Sequence, residues 1–309
     1  MATGTIRKIW SNDHIRNALT LVLIFVVIYG GAHVTYIATQ LALRTEYPAL
    51  AVASGSMLPT LNIGDLIIVQ GVNPENICAD RLKGDILVFR NPYNPSELIV
   101  HRAVKLEKRD GYYLITTLGD YSRYGERDQF SPWNSSLLIG KVIARVPYIG
   151  NLPLLFQAER STFILLLAFI AAIFALTLFI TSGEEKPHEE KVGKGSSKIF
   201  QFTIVNLLII GLLIFTLWGT FTFPQPGANP PKATVRGMYA DMEFHRSYGG
   251  EPELYWGFIS YRIDLQFNDG VRLGVPTFSW AQLLAIILIL FNSWMMMNFL
   301  RERGLKRQI

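Results

Sequence analysis

The sequence predicts a membrane protein with four transmembrane helices, a mainly-β extracytoplasmic domain and a small second β domain. Half of the 309 residues are hydrophobic and 17% are charged, whereas soluble domains carry about 25% charged residues. Four separate stretches are apolar enough to cross a bilayer, which takes about 20 helical residues for about 30 Å of hydrocarbon. Two of the segments between these stretches show β patterns instead.

The four spans are predicted at 18–41, 161–181, 200–223 and 279–300. They must be helical, because a backbone exposed to lipid has to satisfy its own hydrogen bonds. The second half of the first stretch is less apolar, so we expect that span to end near Tyr36. A cleaved signal peptide is the alternative for this stretch, but no convincing small-x-small cleavage site follows its apolar run.

Basic residues set the predicted orientation, because Lys and Arg concentrate at the cytoplasmic ends of membrane spans. The tail 1–17, the linker 182–199 and the tail 301–309 carry three, four and four Lys or Arg residues, respectively. Both termini and the linker are therefore expected in the cytoplasm. The segments 44–160 and 224–278 then face outward from the cell membrane.

Segment 44–160 is predicted to fold as a β-rich domain. Short apolar runs such as 65–69 and 85–89 follow glycines, and turn-forming Gly, Asn, Asp and Pro separate the runs, which is typical of a sheet of short strands. The segment is long enough to bury a core. Cys78 is the chain's one cysteine, which excludes an intramolecular disulfide, and we interpret it as a small core residue.

Segment 224–278 is predicted to be the small second β domain. Hydrophobic residues alternate with polar ones over 259–267, and a period of two indicates a half-buried strand. Asn268-Asp269-Gly270 then predicts a hairpin turn, with a partner strand from Val271. A domain this short is only marginally stable alone, so we expect it to pack against the first domain or against a partner. His245 lies in a polar stretch and is interpreted as a surface residue.

One histidine stands out as a candidate for chemistry. Of the five in the chain, only His101 lies within 44–160, where it follows an apolar run that predicts a strand. Histidine titrates near neutrality and can accept the proton of a hydroxyl nucleophile. Taken alone, such a histidine is structural more often than catalytic. The chain shows no HExxH motif and no histidine pair at metal-ligand spacing, so neither a metal site nor a cofactor is predicted.

A Ser-Gly-Ser-Met-Leu-Pro-Thr run at 54–60 supplies a candidate nucleophile, Ser56. Gly55 lets the backbone approach a substrate closely, and Pro59 stiffens the chain just beyond. Because the run follows soon after the first span, we expect it close to the membrane surface. By itself the run also reads as an ordinary Ser/Gly turn.

This run closely resembles the nucleophile box of type I signal peptidases. The chain also resembles the family's later motifs, which follow in the family's order at 64–69, 81–89, Ile99-Val100-His101-Arg102, 118–128 and 140–150. Histidine stands at 101 where bacterial members have lysine, which marks the archaeal and endoplasmic-reticulum branch. The resemblance covers roughly residues 15–160, while 161–309 has no counterpart in the core family pattern.

The resemblance implies a membrane-bound serine endopeptidase that removes signal peptides from secreted preproteins. Ser56 would attack the scissile carbonyl, and His101 would take its proton and return it to the leaving amine. Asp128 is implied as the carboxylate that orients the imidazole. Asp120 is kept as a supporting or alternative partner, because an insertion separates the two aspartates further than in archaeal members. The Ser56 N–H and the Ser54 hydroxyl would serve the oxyanion hole.

The implied partners are signal peptides and the lipid bilayer, with the secretion machinery or accessory subunits as further candidates; nucleic acid is not expected. A substrate would bind as an added strand, with shallow pockets for small side chains. Two alternatives stay open: an inactive homologue, and a membrane-anchored binding or assembly protein that presents the second β domain. A third keeps the protease but changes its substrate to another membrane precursor, such as a pilin-like protein.

Overall fold

The computed structural model describes residues 13–121, 128–156, 164 and 194–306. The chain forms two compact units, Met1–Pro48 and Ala49–Ile309.

The described part of the first unit is dominated by helix α1 (Asp13–Leu43). The helix runs past Tyr36, where the sequence predicted that the span ends, and its apolar window is Val26–Leu43. The polar side chains in this half do not break the helix. Thr35 and Thr39 donate their hydroxyls to the carbonyls four residues earlier, at 2.8 and 2.7 Å, so each is satisfied within the helix.

The second unit contains the strands and the remaining described helices. Its first half contains β1 (Ala49–Ala51), β2 (Leu66–Gln70), β3 (Ile86–Arg90), β4 (Leu98–Arg109), β5 (Tyr112–Leu118), β6 (Trp133–Asn134), β7 (Leu138–Val146), two 3₁₀ helices (Pro74–Asn76 and Ser135–Leu137) and α2 (Asn151–Phe156). Its second half contains α3 (Lys194–Trp218), β8 (Thr220–Pro224), β9 (Lys232–Arg236), α4 (Met238–Arg246), β10 (Glu251–Gly257), β11 (Ser260–Phe267), β12 (Gly270–Arg272), β13 (Thr277–Phe278) and α5 (Trp280–Lys306).

Eleven of the described strands form one sheet, which confirms that the domain is mainly β. The order is β10-β11-β13-β7-β3-β4-β5-β6, with β12 on β11 and the β1–β2 pair attached to β7. Pairs in this sheet are antiparallel except β13 with β7, which is parallel. Strands β8 and β9 form a separate two-stranded sheet.

The central strand β3 separates two hydrophobic clusters, because successive side chains of a strand point to opposite faces. Ile86 and Val88 belong to the first cluster, and Leu87 and Phe89 to the second. The first cluster also contains Val52, Met57, Leu61, Ile67, Val69 and Val275, and the second contains Ile77, Ala103, Ile115 and Trp133. Both faces of β3 are therefore buried, which agrees with its unbroken apolar sequence.

Segment 224–278 does not form a domain apart from the first. Its strands β10 to β13 continue the same sheet, because β13 pairs with β7 at Thr277 and Arg145. The predicted hairpin at 260–272 is confirmed, with β11 and β12 antiparallel. The segment also contains helix α4, which the sequence analysis did not predict.

A buried ion network joins this segment to the sheet. Arg145 of β7 donates Nη1 to Asp65 at 2.8 Å, Nη2 to Asp241 of α4, and Nε to Thr277 of β13 at 2.7 Å. All four side chains are buried. A buried charge that loses its partner is strongly destabilising, so the network ties α4 and β13 to β7.

Two interpretations from the sequence are wrong. His245 is buried rather than on the surface, and its Nδ1 donates to the Asp241 carbonyl at 2.8 Å within α4. Burial lowers the pKa of His245 below its ordinary value, although the Asp241 carboxylate opposes this shift. Cys78 is exposed rather than in the core; its N–H donates to Asp85 at 2.9 Å, which holds the backbone while the side chain faces outward.

Three described helices are long and apolar enough to cross a membrane. Their apolar windows are Val26–Leu43, Phe200–Trp218 and Trp280–Arg301. The predicted second span, 161–181, lies outside the described residues except for residue 164. The third span was predicted to reach residue 223, but its helix ends at Trp218 and the chain continues as strand β8. A side chain at Gly219 would clash with Phe215, which fits a close turn at that point.

Candidate active site

Ser56 lies in a tight turn that two buried side chains hold in place. The Leu58 N–H donates to the Gly55 carbonyl at 3.2 Å, and the Leu61 N–H donates to the Met57 carbonyl at 2.9 Å. Met57 and Leu61 are at most 1% exposed in the first cluster. Ser56 itself stays partly exposed, so the turn presents a hydroxyl at the surface of a fixed scaffold.

His101 projects from β4 toward the second cluster. Its cross-strand partner is Leu87, and its ring lies edge-on to Phe89, with centroids 6.5 Å apart. Its Nδ1 lies 2.6 Å from Asp128 Oδ2. Because an ionised carboxylate can only accept, Nδ1 is the nitrogen that carries the proton. The imidazole is buried by these neighbours, which fixes the ring and its tautomer.

Gly119 brings the Ser56 turn and the imidazole together. A Cβ atom at this position would lie 2.6 Å from the Ser56 carbonyl oxygen and 3.2 Å from His101 Nε2. Only glycine allows so close an approach to a backbone oxygen. Two residues later, the Tyr121 N–H donates to the same Ser56 carbonyl at 3.0 Å. The ring therefore presents Nδ1 to Asp128 and Nε2 to the glycine that also contacts Ser56.

Asp128 is held by more than the histidine. Its Oδ2 also accepts the Thr117 hydroxyl at 2.9 Å, and its Oδ1 accepts the Phe130 N–H at 3.0 Å. Thr117 in turn accepts the indole N–H of Trp133 at 3.1 Å. Burial raises the pKa of Asp128, but these hydrogen bonds and the imidazole outweigh burial and leave the pKa below its ordinary value. The carboxylate is therefore ionised at neutral pH.

Asp120 lies on the opposite face of β4 from this pair. Both its oxygens accept from Arg102, each at 2.8 Å, and Oδ2 also accepts the Thr60 hydroxyl. His101 and Arg102 are consecutive strand residues, so they point to opposite faces, which separates the two aspartates. Burial raises the pKa of Asp120, yet the Arg102 charge leaves it below its ordinary value. Asp120 thus joins the end of the Ser56 turn to β4.

Ser54 lies beside the candidate nucleophile on the exposed side of the turn. Its hydroxyl oxygen is 3.4 Å from the Ser56 hydroxyl oxygen. On the strand side, the Ala53 carbonyl accepts the Asn229 N–H at 2.8 Å, and Ser54 and Asn229 form an isolated parallel bridge. A piece of segment 224–278 therefore lies along the chain that leads into Ser56.

Sequence reasoning missed two residues of this site. No sequence signal marks the Thr117 hydroxyl as a partner of Asp128. Gly119 lies in the segment 118–128 and had no assigned role, although a glycine is the residue that allows a close backbone approach. Within the described residues, no group of three or more His, Cys, Asp or Glu side chains is placed to hold a metal ion.

A hydroxyl, an imidazole and an ionised carboxylate grouped in this way suit nucleophilic acyl transfer. In that chemistry, an imidazole can take the proton of a hydroxyl, and a carboxylate can hold the tautomer and stabilise the imidazolium that forms.

Comparison with known proteins identifies the family. No protein-family model matches the chain, but curated proteins do. The signal peptidase complex catalytic subunit of Dictyostelium discoideum is 30% identical over 140 residues, which are 43% of this chain and 73% of that protein. The chain belongs to the signal peptidase catalytic-subunit family. Its Yarrowia lipolytica relative is 27% identical over 155 residues, 48% of this chain and 86% of that protein.

The SEC11C catalytic subunit of Canis lupus familiaris is also similar, 27% identical over 160 residues that are 50% of this chain and 81% of that protein. These matches confirm the family that the motifs between 54 and 150 predicted. The mainly-β sheet and the apolar helices of this chain are compatible with a membrane-associated catalytic domain.

Proposed function

We propose that this chain is a membrane-bound signal peptidase, a serine endopeptidase that removes signal peptides from secreted preproteins. One observation carries the proposal. One ring nitrogen of His101 is hydrogen-bonded to Asp128, and the other ring nitrogen faces Gly119, beside the Ser56 carbonyl. Family membership supplies the reaction, because the relatives are named as catalytic subunits of signal peptidase complexes.

In the proposed mechanism, Ser56 Oγ attacks the scissile carbonyl carbon while His101 Nε2 takes the hydroxyl proton. The Ser56 N–H and the Ser54 hydroxyl stabilise the oxyanion of the tetrahedral intermediate. The intermediate then expels the amine of the mature protein, which receives the proton from His101. Water attacks the acyl-enzyme with His101 again as base, which releases the signal peptide and restores Ser56.

Asp128 and Asp120 have different roles in this proposal. Asp128 orients the imidazole and stabilises its cationic form, because its oxygens are fixed by Thr117 and the Phe130 N–H. Asp120 is a positioning residue that links Thr60, at the end of the Ser56 turn, to Arg102 on β4. Its contacts support this role rather than direct contact with the imidazole.

Substrate would add as a strand along the residues that lead into Ser56. The Ala53 carbonyl on this edge already accepts the Asn229 N–H at 2.8 Å. An extended preprotein would therefore compete with Asn229 for this carbonyl. Small side chains near the cleavage site would fit the shallow surface expected there.

The proposal includes placement in the membrane. The three apolar helices and the predicted span at 161–181 give four spans, and an even number of spans places both termini on the same side. We assign that side to the cytoplasm, which leaves the catalytic domain on the outer face of the cell membrane. The Lys and Arg residues of the tails and of the linker 182–199 support this orientation, because acidic residues count little in this rule. Because the relatives are named as subunits of a complex, we extend the proposal to accessory subunits as partners.

The test is cleavage of a signal-peptide-bearing preprotein by the full chain in proteoliposomes. Ser56→Ala and His101→Ala are each expected to abolish cleavage. Ser96→Ala, an exposed serine of the same domain, is the matched control and should cleave at the wild-type rate. His245→Ala is unsuitable as a control, because His245 is buried beside the Asp241 network. Wild-type cleavage by the Ser56→Ala protein would overturn the proposal.

A further inference from the structure

Two β-hairpins of the second unit end in tips of opposite character. The tip of the β4–β5 hairpin is polar and carries Arg109, Asp110 and Gly111. The tip of the β10–β11 hairpin, Tyr255–Ile259, is apolar, and residues 255–258 of it are exposed. Within it, the Trp256 and Phe258 side chains are 54% and 87% exposed. An aromatic tip this exposed indicates a contact surface.

The aromatic tip is fixed to the beginning of α5. The Ser279 N–H donates to the Ile259 carbonyl at 3.0 Å, and the Gln282 side chain donates to the Gly257 carbonyl at 3.0 Å. Strand β11 also pairs with β13 immediately before α5. The tip therefore cannot move independently of the first turn of this apolar helix.

The same end of α5 marks the expected level of the membrane surface. Helices α3 and α5 pack against each other, with Asn292 donating to Asn206 at 2.7 Å and the rings of Phe202 and Phe291 5.8 Å apart. Their apolar windows meet the β domain at Trp218 and Trp280. Tryptophan is enriched at this depth, where the bilayer meets water.

Charged groups of the β10–β11 hairpin begin at Tyr255, whose hydroxyl donates to the Glu253 carboxylate at 2.6 Å, and continue away from Phe258. Glu251 and Glu253 are exposed on β10, and the Arg262 guanidinium lies over the Tyr255 ring at 5.2 Å. Glu253 is five residues from Phe258, which is roughly 15 Å along a strand. This spacing matches an aromatic tip buried about 5–10 Å into the headgroup region, with the carboxylates in water.

We propose that the Tyr255–Ile259 tip inserts into the bilayer leaflet on the side of the β domain and acts as a lipid anchor beside α5. The occupant is lipid, because the tip is hydrogen-bonded to the first turn of a membrane-spanning helix. The anchor would fix the tilt and height of the sheet above the membrane through the β11–β13 pair. The proposal does not depend on catalysis by Ser56.

The test uses an environment-sensitive fluorophore on single cysteines in the full chain. Cys78→Ser removes the exposed native thiol, and Phe258→Cys or Asp110→Cys then places the probe on one hairpin tip or the other. Both positions are exposed, so neither change disturbs the core. The proteins are reconstituted in phosphatidylcholine vesicles with and without dibrominated lipid, which quenches fluorophores within the bilayer.

The probe at 258 is expected to emit at shorter wavelength than the probe at 110 and to lose at least half of its emission in brominated vesicles. The probe at 110 should be quenched little. Equal, water-like emission at both positions would overturn the proposal. A probe at 258 that is shielded from water but not quenched by brominated lipid would also overturn it, since protein, such as a second copy of the chain, would then cover the tip.

Discussion

The Nδ1 atom of His101 lies 2.6 Å from Asp128 Oδ2, and both groups are held by neighbours that do not depend on a substrate. Thr117 and the Phe130 N–H fix the carboxylate, and Phe89 and Phe130 flank the imidazole. The pair is therefore preorganised. In the proposed mechanism, the energy needed to orient the base would be supplied during folding rather than during each turnover.

Asp128→Asn is expected to keep the fold and to lower kcat by about 10³–10⁴-fold, because the neutral amide favours the wrong imidazole tautomer. KM should change little, since Asp128 is buried and does not line the surface at Ser56. Steady-state cleavage of a preprotein checks this, with the exposed Asp110→Asn as control. A loss smaller than tenfold would show that Asp128 does not orient the base.

Asp128 also predicts a pH dependence of stability. Burial raises its pKa, but its hydrogen bonds to His101, Thr117 and the Phe130 N–H hold the pKa below the ordinary value of 3.8. A lowered carboxylate pKa stabilises the fold fully above the unfolded pKa, and this contribution is lost as the pH falls through the folded pKa. The thermal midpoint gap between wild type and Asp128→Asn should therefore shrink below about pH 4. A gap that persists unchanged at lower pH would contradict this account.

Asp120→Ala is expected to act mainly on stability. It leaves the Arg102 guanidinium, which is 2% exposed, without its carboxylate. Removing one partner of a buried ion pair costs about 3–5 kcal/mol, so the unfolding midpoint in detergent should fall sharply. Asp110→Ala, on the exposed hairpin tip, should leave the midpoint unchanged. A stable Asp120→Ala protein would show that Arg102 finds another partner.

Arg145 offers a matched comparison of a buried and an exposed arginine. Arg145→Ala leaves Asp65 and Asp241 buried together without their shared cation, at a cost of about 3–5 kcal/mol or more. Arg246→Ala removes only exposed pairs, with Glu243 and with Glu251, each worth about 0–1 kcal/mol. Limited proteolysis should cut segment 224–278 in the first variant and spare it in the second. Equal resistance in both would mean that the network does not hold the segment.

Local patterns in the sequence predicted the parts of the fold that depend on neighbouring residues. The alternation over 259–267 and the turn at Gly270 predicted the β11–β12 hairpin, because strand period and turn geometry are both local. Local patterns could not predict that segment 224–278 shares one sheet with the first β domain. The shared sheet rests on the pairing of Thr277 with Arg145, residues far apart in the chain, and neither has a pattern that specifies its partner.

The candidate site likewise has residues that the sequence predicted and relationships that it could not predict. The motifs nominated Ser56 and His101, and they left Asp120 and Asp128 as alternatives. The two aspartates separate in space because His101 and Arg102 point to opposite faces of β4. Sequence spacing carries no information on which face a later loop covers. His245 was misread for a similar reason, since its burial depends on an ion network formed by distant segments.

The most direct test of the account is a double-mutant comparison of Ser56 and His101 in single-turnover preprotein cleavage. If the two side chains act as one unit, Ser56→Ala, His101→Ala and the double variant should be equally slow, because removal of either partner already disables the other. Losses that multiply in the double variant, or wild-type cleavage by either single variant, would contradict the claim that this hydroxyl and this imidazole cleave the peptide bond together.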